Sequence, residues 1–244
     1  MFTFYEVGGK IRDVLLGLQS KDVDYVAVPS TEYIETYKTA DEMFEVLVQF
    51  LVDEGFKMYL VTGSCFTVRA KFPVGHMYMG DADFVMARKE IGYIDGTRTP
   101  IVVPGTLYDD LERRDFTVNA MARDHDGSII DPFGGQADLA NKLLRTPIDP
   151  YITFADDPLR LLRAIRFSVT KDFVVDSDIQ AIIHTYNYDD NMSVVSAERI
   201  REELYKALKF DSFATIKQLC AYRKLGQYVF TKTGLWLKPT MEDK

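Results

Sequence analysis

The sequence predicts an α+β protein in two parts, a head built on a mixed sheet and a mostly helical second unit. Ahead of Asp131, short β-rich runs at 25–28, 57–61, 81–86 and 101–103 alternate with helical patterns, which suggests a mixed sheet with helices packed against it. After Asp131-Pro132-Phe133-Gly134-Gly135 the strand signals mostly fade, and helices are suggested around 158–169, 176–186 and 197–209. The expected units are therefore 1–130 and 131–244.

Along the chain, Gly8-Gly9 closes a short apolar run and opens a helical turn carrying Val14, Leu15 and Leu16. A strand beginning Lys21-Asp22-Val23-Asp24 follows. Phe44, Leu47, Val48, Leu51 and Val52 recur at helical spacing, with Gly55 as a C-terminal stop. Between the strand ending near Met86 and a helix near Asp115 runs a stretch rich in Gly, Thr and Pro, a candidate moving loop over a site. The helix at 158–169 opens with an acidic cap and has Pro158 in its first turn.

A hydrophobic content of 47% supports a proper core, and the net charge of -8 argues against a protein that coats nucleic acid through bulk charge. Any nucleic-acid contact must come from a local basic surface. Cys65 and Cys220 stand in no metal-ligand spacing, so a reduced, cytoplasmic chain is expected. No stretch approaches the roughly 18 uninterrupted apolar residues of a membrane span.

Asp22 and Asp24 project from the same face of a strand with Cα atoms about 7 Å apart, given ~3.3 Å of rise per residue. Carboxylates that close repel unless a cation lies between them, and hard oxygen ligands suit Mg²⁺ together with substrate phosphates. The plainer reading is the polar edge of a half-exposed strand. The preceding Gly8 and Gly9 favour the first, because glycines let backbone N–H groups approach phosphate. Asp83 is the best-placed third carboxylate, although alternation does not separate it from Asp81.

In the arginine-rich helix, Asp157, Arg160, Arg163 and Arg166 share one side, and Leu161, Leu162, Ile165 and Val169 share the other. The charged side is either a solvated surface or a hydrogen-bonding template for a base edge, with further arginines for phosphates. Asp157 is open to a second role as the helix cap.

Taken together, Val7-Gly8-Gly9-Lys10-Ile11-Arg12-Asp13, Asp22-Val23-Asp24, Glu112-Arg113-Arg114-Asp115-Phe116-Thr117-Val118-Asn119-Ala120, Asp131-Pro132-Phe133-Gly134-Gly135 and Asp156-Asp157-Pro158-Leu159-Arg160-Leu161-Leu162-Arg163 resemble the bacterial-type (class II) tRNA nucleotidyltransferase and poly(A) polymerase family, over roughly residues 4–210. The resemblance implies a polymerase-β-like head followed by an all-α neck. It implies that Asp22 and Asp24 hold Mg²⁺, with Asp83 assisting. Gly8, Gly9 and Arg12 would lie against the nucleotide, Arg114 and Asp115 would belong to the triphosphate motif, and Asn119 would help hold the sugar. Asp157 and Arg160 would read CTP and ATP, with Arg163 and Arg166 close by, and 92–112 would be the family's flexible loop. The implied reaction is CCA addition to the 3′ end of tRNA with release of pyrophosphate. The alternatives are A-only or C-only addition, poly(A) synthesis, or an RNA-binding module without turnover. Family members usually continue into helical regions that grip tRNA, whereas only 211–244 follow the neck here, and Asp156 stands where the family commonly has Glu.

Overall fold

The computed structural model describes residues 1–19, 23–36, 39–76, 78, 80–94 and 100–234. By contacts the chain forms two compact units, Met1–Asn141 and Lys142–Lys244. The first contains strands β1 (Phe2–Val7), β2 (Val23–Pro29), β3 (Lys57–Thr62), β4 (Thr67–Lys71), β5 (Asp81–Met86), β6 (Arg88–Tyr93), β7 (Pro100–Pro104), β8 (Ala122–Arg123) and β9 (Ile129–Ile130). Its helices are α1 (Gly9–Leu15), α2 (Thr31–Thr36), α3 (Ala40–Asp53), α4 (Leu107–Glu112) and α5 (Gly135–Ala140).

Seven strands form one mixed sheet in the order β3-β4-β5-β2-β1-β8-β9. Only the β2–β5 neighbours run parallel, and their register sets Asp24 opposite Asp83 and Tyr25 opposite Phe84. Alternation then assigns the two faces. Tyr25, Phe84, Ala82 and Met86 join a core closed by α3, whose Met43, Phe44, Leu47 and Leu51 are all buried. Each such side chain contributes about 1.5–3 kcal/mol relative to leaving it in water. α3 starts at a Thr39–Glu42 capping box and stops before Gly55, whose φ of 83° suits the left-handed region. On the opposite face, Val7 and Val26 pack with Leu111 of α4, Ala120 and Ala122. Asp24 belongs to this second face, beyond the end of its apolar patch.

Three details depart from the sequence reading. β6 and β7 pair as an antiparallel ribbon and α4 follows, so much of the stretch read as a moving loop is regular structure; 95–99 lie outside the described residues. The helical signal near Asp115 is α4, ending at Glu112, followed by a 3₁₀ turn at Thr117–Asn119. The division falls at Asn141/Lys142 and not at 130/131, because Thr117 donates a hydrogen bond to Asp138 at 2.6 Å and Gly135 packs against the Thr117 carbonyl, where a Cβ would collide.

The second unit holds β10 (Leu143–Leu144), α6 (Pro150–Asp156), α7 (Leu159–Thr170), β11 (Val174–Val175), α8 (Ser177–Thr185), α9 (Tyr188–Asn191), α10 (Ala197–Phe210), α11 (Ser212–Ala221) and α12 (Arg223–Thr233). The three helices expected from periodicity are α7, α8 and α10. The short parallel pair β10–β11 makes the unit predominantly and not purely α. α7 is its central helix, burying Leu159, Leu161, Leu162, Ala164, Ile165 and Phe167. Among the described residues no helix is long and apolar enough to cross a membrane.

Candidate active site

The first unit gathers its site residues where β1 ends and β2 begins. Val7 pairs with Asp24, so the chain leaving β1 passes beside the Asp24 carboxylate. Gly8 takes φ 76° and ψ -142° there, a conformation essentially restricted to glycine. A Cβ at Gly8 would lie 3.1 Å from both Asp24 Oδ2 and Arg114 Nη1. A carboxylate and a guanidinium therefore meet at one backbone position that carries no side chain. At Gly9 the neighbour is Arg12, whose Nη2 would sit 3.3 Å from an added Cβ.

Arg12 is almost enclosed. Its Nη1 donates to Asn119 Oδ1 at 2.5 Å, and its Nε donates to Asp13 Oδ1 at 2.9 Å. Asn119 Nδ2 donates in turn to Asp115 Oδ1 at 2.8 Å, which also accepts the Phe116 amide. The Asn119 side chain thereby links Arg12 to the Arg-Arg-Asp motif, a positioning task that the sequence reading did not assign to it.

Arg114 is aimed by an acid the sequence reading passed over. Asp110 is fully buried, and its Oδ2 accepts from Arg114 Nη2 at 2.8 Å and Nε at 3.2 Å, while Oδ1 accepts from Arg113. Burial alone would raise its pKa, but the two guanidiniums and their hydrogen bonds prevail and hold the carboxyl at about 2. The spacing of Asp110 to Arg113 and Arg114, three and four residues on a helix end, was the available signal.

On the other side of Asp24 lies a polar cleft of about 300 Å³ lined by Val23, Asp24, Tyr59, Arg69, Asp81 and Asp83. Asp83 is the carboxylate in register with Asp24, which separates it from Asp81, and Arg69 Nε approaches Asp83 Oδ2 at 3.2 Å. Asp22 lies outside the described residues. Among the described residues no three acidic, His or Cys side chains gather as a ready metal cluster. Two aligned carboxylates nevertheless fit a hard cation that draws its other ligands from substrate phosphates and water.

In the second unit, Arg160, Arg163 and Arg166 lie along the partly open side of α7. Arg166 Nε donates to Glu203 Oε2 at 2.6 Å, and Arg163 Nη1 stands 3.7 Å from Oε1. Burial opposes ionisation of Glu203, yet these arginines pull its pKa below the ordinary range. Arg160 Nη1 donates to the Thr153 carbonyl at 3.0 Å. Asp157 fills the capping role left open by the sequence, since Oδ1 accepts the Leu159 amide at 2.9 Å; Oδ2 faces Arg199 at 3.4 Å. No local pattern revealed Glu203, which is 37 residues from Arg166.

The family description "Poly A polymerase head domain" matches residues 4–145. The chain belongs to this family. The head-domain match spans every site residue of the first unit and stops before α7. The CCA-adding enzyme of Francisella tularensis subsp. tularensis is 34% identical over 229 residues, covering 90% of this chain and 56% of its own. The Multifunctional CCA protein of Aromatoleum aromaticum is 35% identical over 233 residues, covering 91% and 49%. Among solved structures, Bacillus stearothermophilus CCA-adding enzyme in complex with CTP aligns with a TM-score of 0.75 at 26% identity, covering 96% of this chain and 51% of that one. Thermotoga maritima CCA-adding enzyme complexed with tRNA aligns with a TM-score of 0.71 at 27% identity, covering 98% and 50%. The chain spans about half the length of these relatives.

Proposed function

We propose that this protein transfers CMP and AMP from CTP and ATP to the 3′ hydroxyl of tRNA, completing a CCA end, and that it does so in the cytoplasm. The observation that carries the reading is the meeting of Asp24 and Arg114 at Gly8, with Asp83 in register on the next strand. It supplies a cation seat and an anion seat side by side, the two needs of phosphoryl transfer. The CCA-adding relatives, and the neighbours solved with CTP and tRNA, support the choice of substrates.

In this reading Asp24, with Asp22, would hold Mg²⁺, and Asp83 would assist a two-metal arrangement; bound there, the cations would neutralise the triphosphate and ease loss of the acceptor proton. Arg114, held by Asp110, receives the β- and γ-phosphates beside Gly8 and Gly9. Arg12, fixed by Asn119 and Asp115, lines the nucleotide, with Asn119 next to the sugar. Asp157 and Arg160 offer acceptor and donor groups to the base edge, while Arg163 and Arg166 stiffen that helix face through Glu203. Attack of the acceptor oxygen on the α-phosphorus forms the phosphodiester and breaks the α–β bond, releasing pyrophosphate.

The family's own description favours a second reading, addition of A alone. Incubation with Mg²⁺, CTP and ATP on tRNA transcripts ending before CCA, after C and after CC, followed by product sequencing, separates the two. CCA completed from every start supports the first reading. A-only products sink it in favour of the second, and the absence of any incorporation sinks both.

A further inference from the structure

We propose that Tyr59 and Arg69 form the seat for the 3′-terminal nucleotides of the acceptor RNA, with the Tyr59 ring as a stacking platform and Arg69 as a phosphate contact. The inference rests on the transfer reading above and follows from the order of strands. Asp24 sits on β2, with β1, Gly8 and Arg114 to one side and β5, β4 and β3 to the other. Phosphoryl transfer places attacking and leaving oxygens roughly in line across the phosphorus. If pyrophosphate departs toward Gly8 and Arg114, the attacking hydroxyl arrives over β5, from the cleft beyond Asp83.

That side of the cleft has the chemistry of a single-strand seat. Arg69 is the cross-strand partner of Asp83, and its side chain is 51% exposed although Nε is engaged with Asp83. The planar fork can therefore hold the carboxylate and still present N–H groups to a phosphate. Tyr59 sits at the irregularity in the β3–β4 register between Met58 and Leu60, and is 53% exposed where it lines the cleft. Three strand spacings separate β3 from β2, about 14 Å at ~4.8 Å each. Such a span suits the end of an acceptor laid from Tyr59 toward Asp24. An exposed aromatic ring beside a cation on a groove is how proteins grip single strands irrespective of sequence, as an acceptor that changes by one nucleotide per addition requires. The cleft lining is net acidic, with Asp24, Asp81 and Asp83 against Arg69, so the Tyr59 ring and not bulk charge carries most of the grip.

The test is equilibrium binding by the full chain of a fluorescein-labelled RNA hairpin with a single-stranded CC end, read by anisotropy, with ATP and CTP binding measured in parallel. Tyr59→Ala should weaken RNA binding roughly 5- to 150-fold, the range found for loss of one stacked base, while Tyr59→Phe retains the platform and binds as wild type. Arg69→Ala should lower the salt dependence by about one phosphate's share, a slope change of roughly 0.7. Nucleotide affinity should be unchanged in the Tyr59 variants. RNA binding equal to wild type in both alanine variants overturns the proposal. So does loss of ATP and RNA binding in equal measure in Tyr59→Ala, or failure of the wild-type chain to bind the hairpin. Binding requires no turnover, so a chain that grips the RNA end through Tyr59 yet adds no nucleotide retains this seat and refutes the transfer reading alone.

Discussion

Replacing Asp110 by Asn removes a negative charge from a fully buried position between Arg113 and Arg114. Burial pushes the carboxyl up, the two guanidiniums pull it down further, and it rests at about 2 against an ordinary 3.8. At about 1.36 kcal/mol per pKa unit, the ionised group stabilises the fold by about 2 kcal/mol at neutral pH. One-sided removal of a buried ion pair typically costs about 3–5 kcal/mol. Arg113 and Arg114 retain some contact with solvent, their side chains 20% and 17% exposed, which places the expected loss at about 2–4 kcal/mol. Because the folded-state pKa is depressed, the contribution is present above the unfolded value near 4 and fades as pH falls toward 2. Urea unfolding of wild type and Asp110→Asn at pH 7, repeated between pH 4 and 2, measures both effects. The difference should be largest at neutral pH and shrink over the acid window. Equal stability at pH 7, or a gap unchanged down to pH 2, would refute the reasoning. In the same variant Arg114 loses its anchor, so the KM for ATP should rise more than kcat falls.

Gly8→Ala puts a Cβ 3.1 Å from Asp24 and Arg114 in a backbone conformation other residues avoid; we expect a stability loss of about 1–3 kcal/mol and weaker ATP binding, read by denaturation and nucleotide titration. Asp24→Asn should abolish CMP and AMP incorporation while leaving the circular dichroism spectrum intact, and residual turnover near wild type would remove Asp24 from the chemistry. Arg160→Ala should admit GTP and UTP more than it weakens triphosphate binding, measured as incorporation of each of the four nucleotides. Glu203→Gln, which frees Arg163 and Arg166 from their shared acid, should lower the thermal midpoint and also blur nucleotide choice, whereas a purely structural Glu203 would move only the midpoint.

Local regularities made much of this molecule legible. The spacing of Phe44, Leu47 and Leu51, closed by Gly55, fixed α3 because one helix face is the only way to bury all three. Gly8 was readable because its positive φ and the close approach of Asp24 and Arg114 demand glycine. One strand inside the sheet was harder. β4 alternates buried Val68 and Ala70 with Thr67, Arg69 and Lys71, too polar a run to announce itself, and its place beside β5 depends on pairing partners distant in sequence. The side chains that aim the arginines were missed for two reasons. Asp110 was hidden among neighbouring acids despite its helical spacing, and Glu203 reaches Arg166 only through tertiary packing of α10 on α7. The parallel register of β2 and β5 likewise had no sequence signature, yet it alone distinguishes Asp83 from Asp81.

The close approach of Gly135 to Thr117 bears on how separable the head is. The sequence changes character at Asp131, but the 3₁₀ turn that carries Asn119 leans on the segment after that change, through Gly135 and Asp138. A polypeptide cut at residue 130 would keep Asp24, Arg12 and Arg114 and lose the buttress under Asn119, which links Arg12 to the Arg-Arg-Asp motif. The working boundary of the head thus lies past its apparent one, and the eleven residues between act as a keystone rather than a hinge.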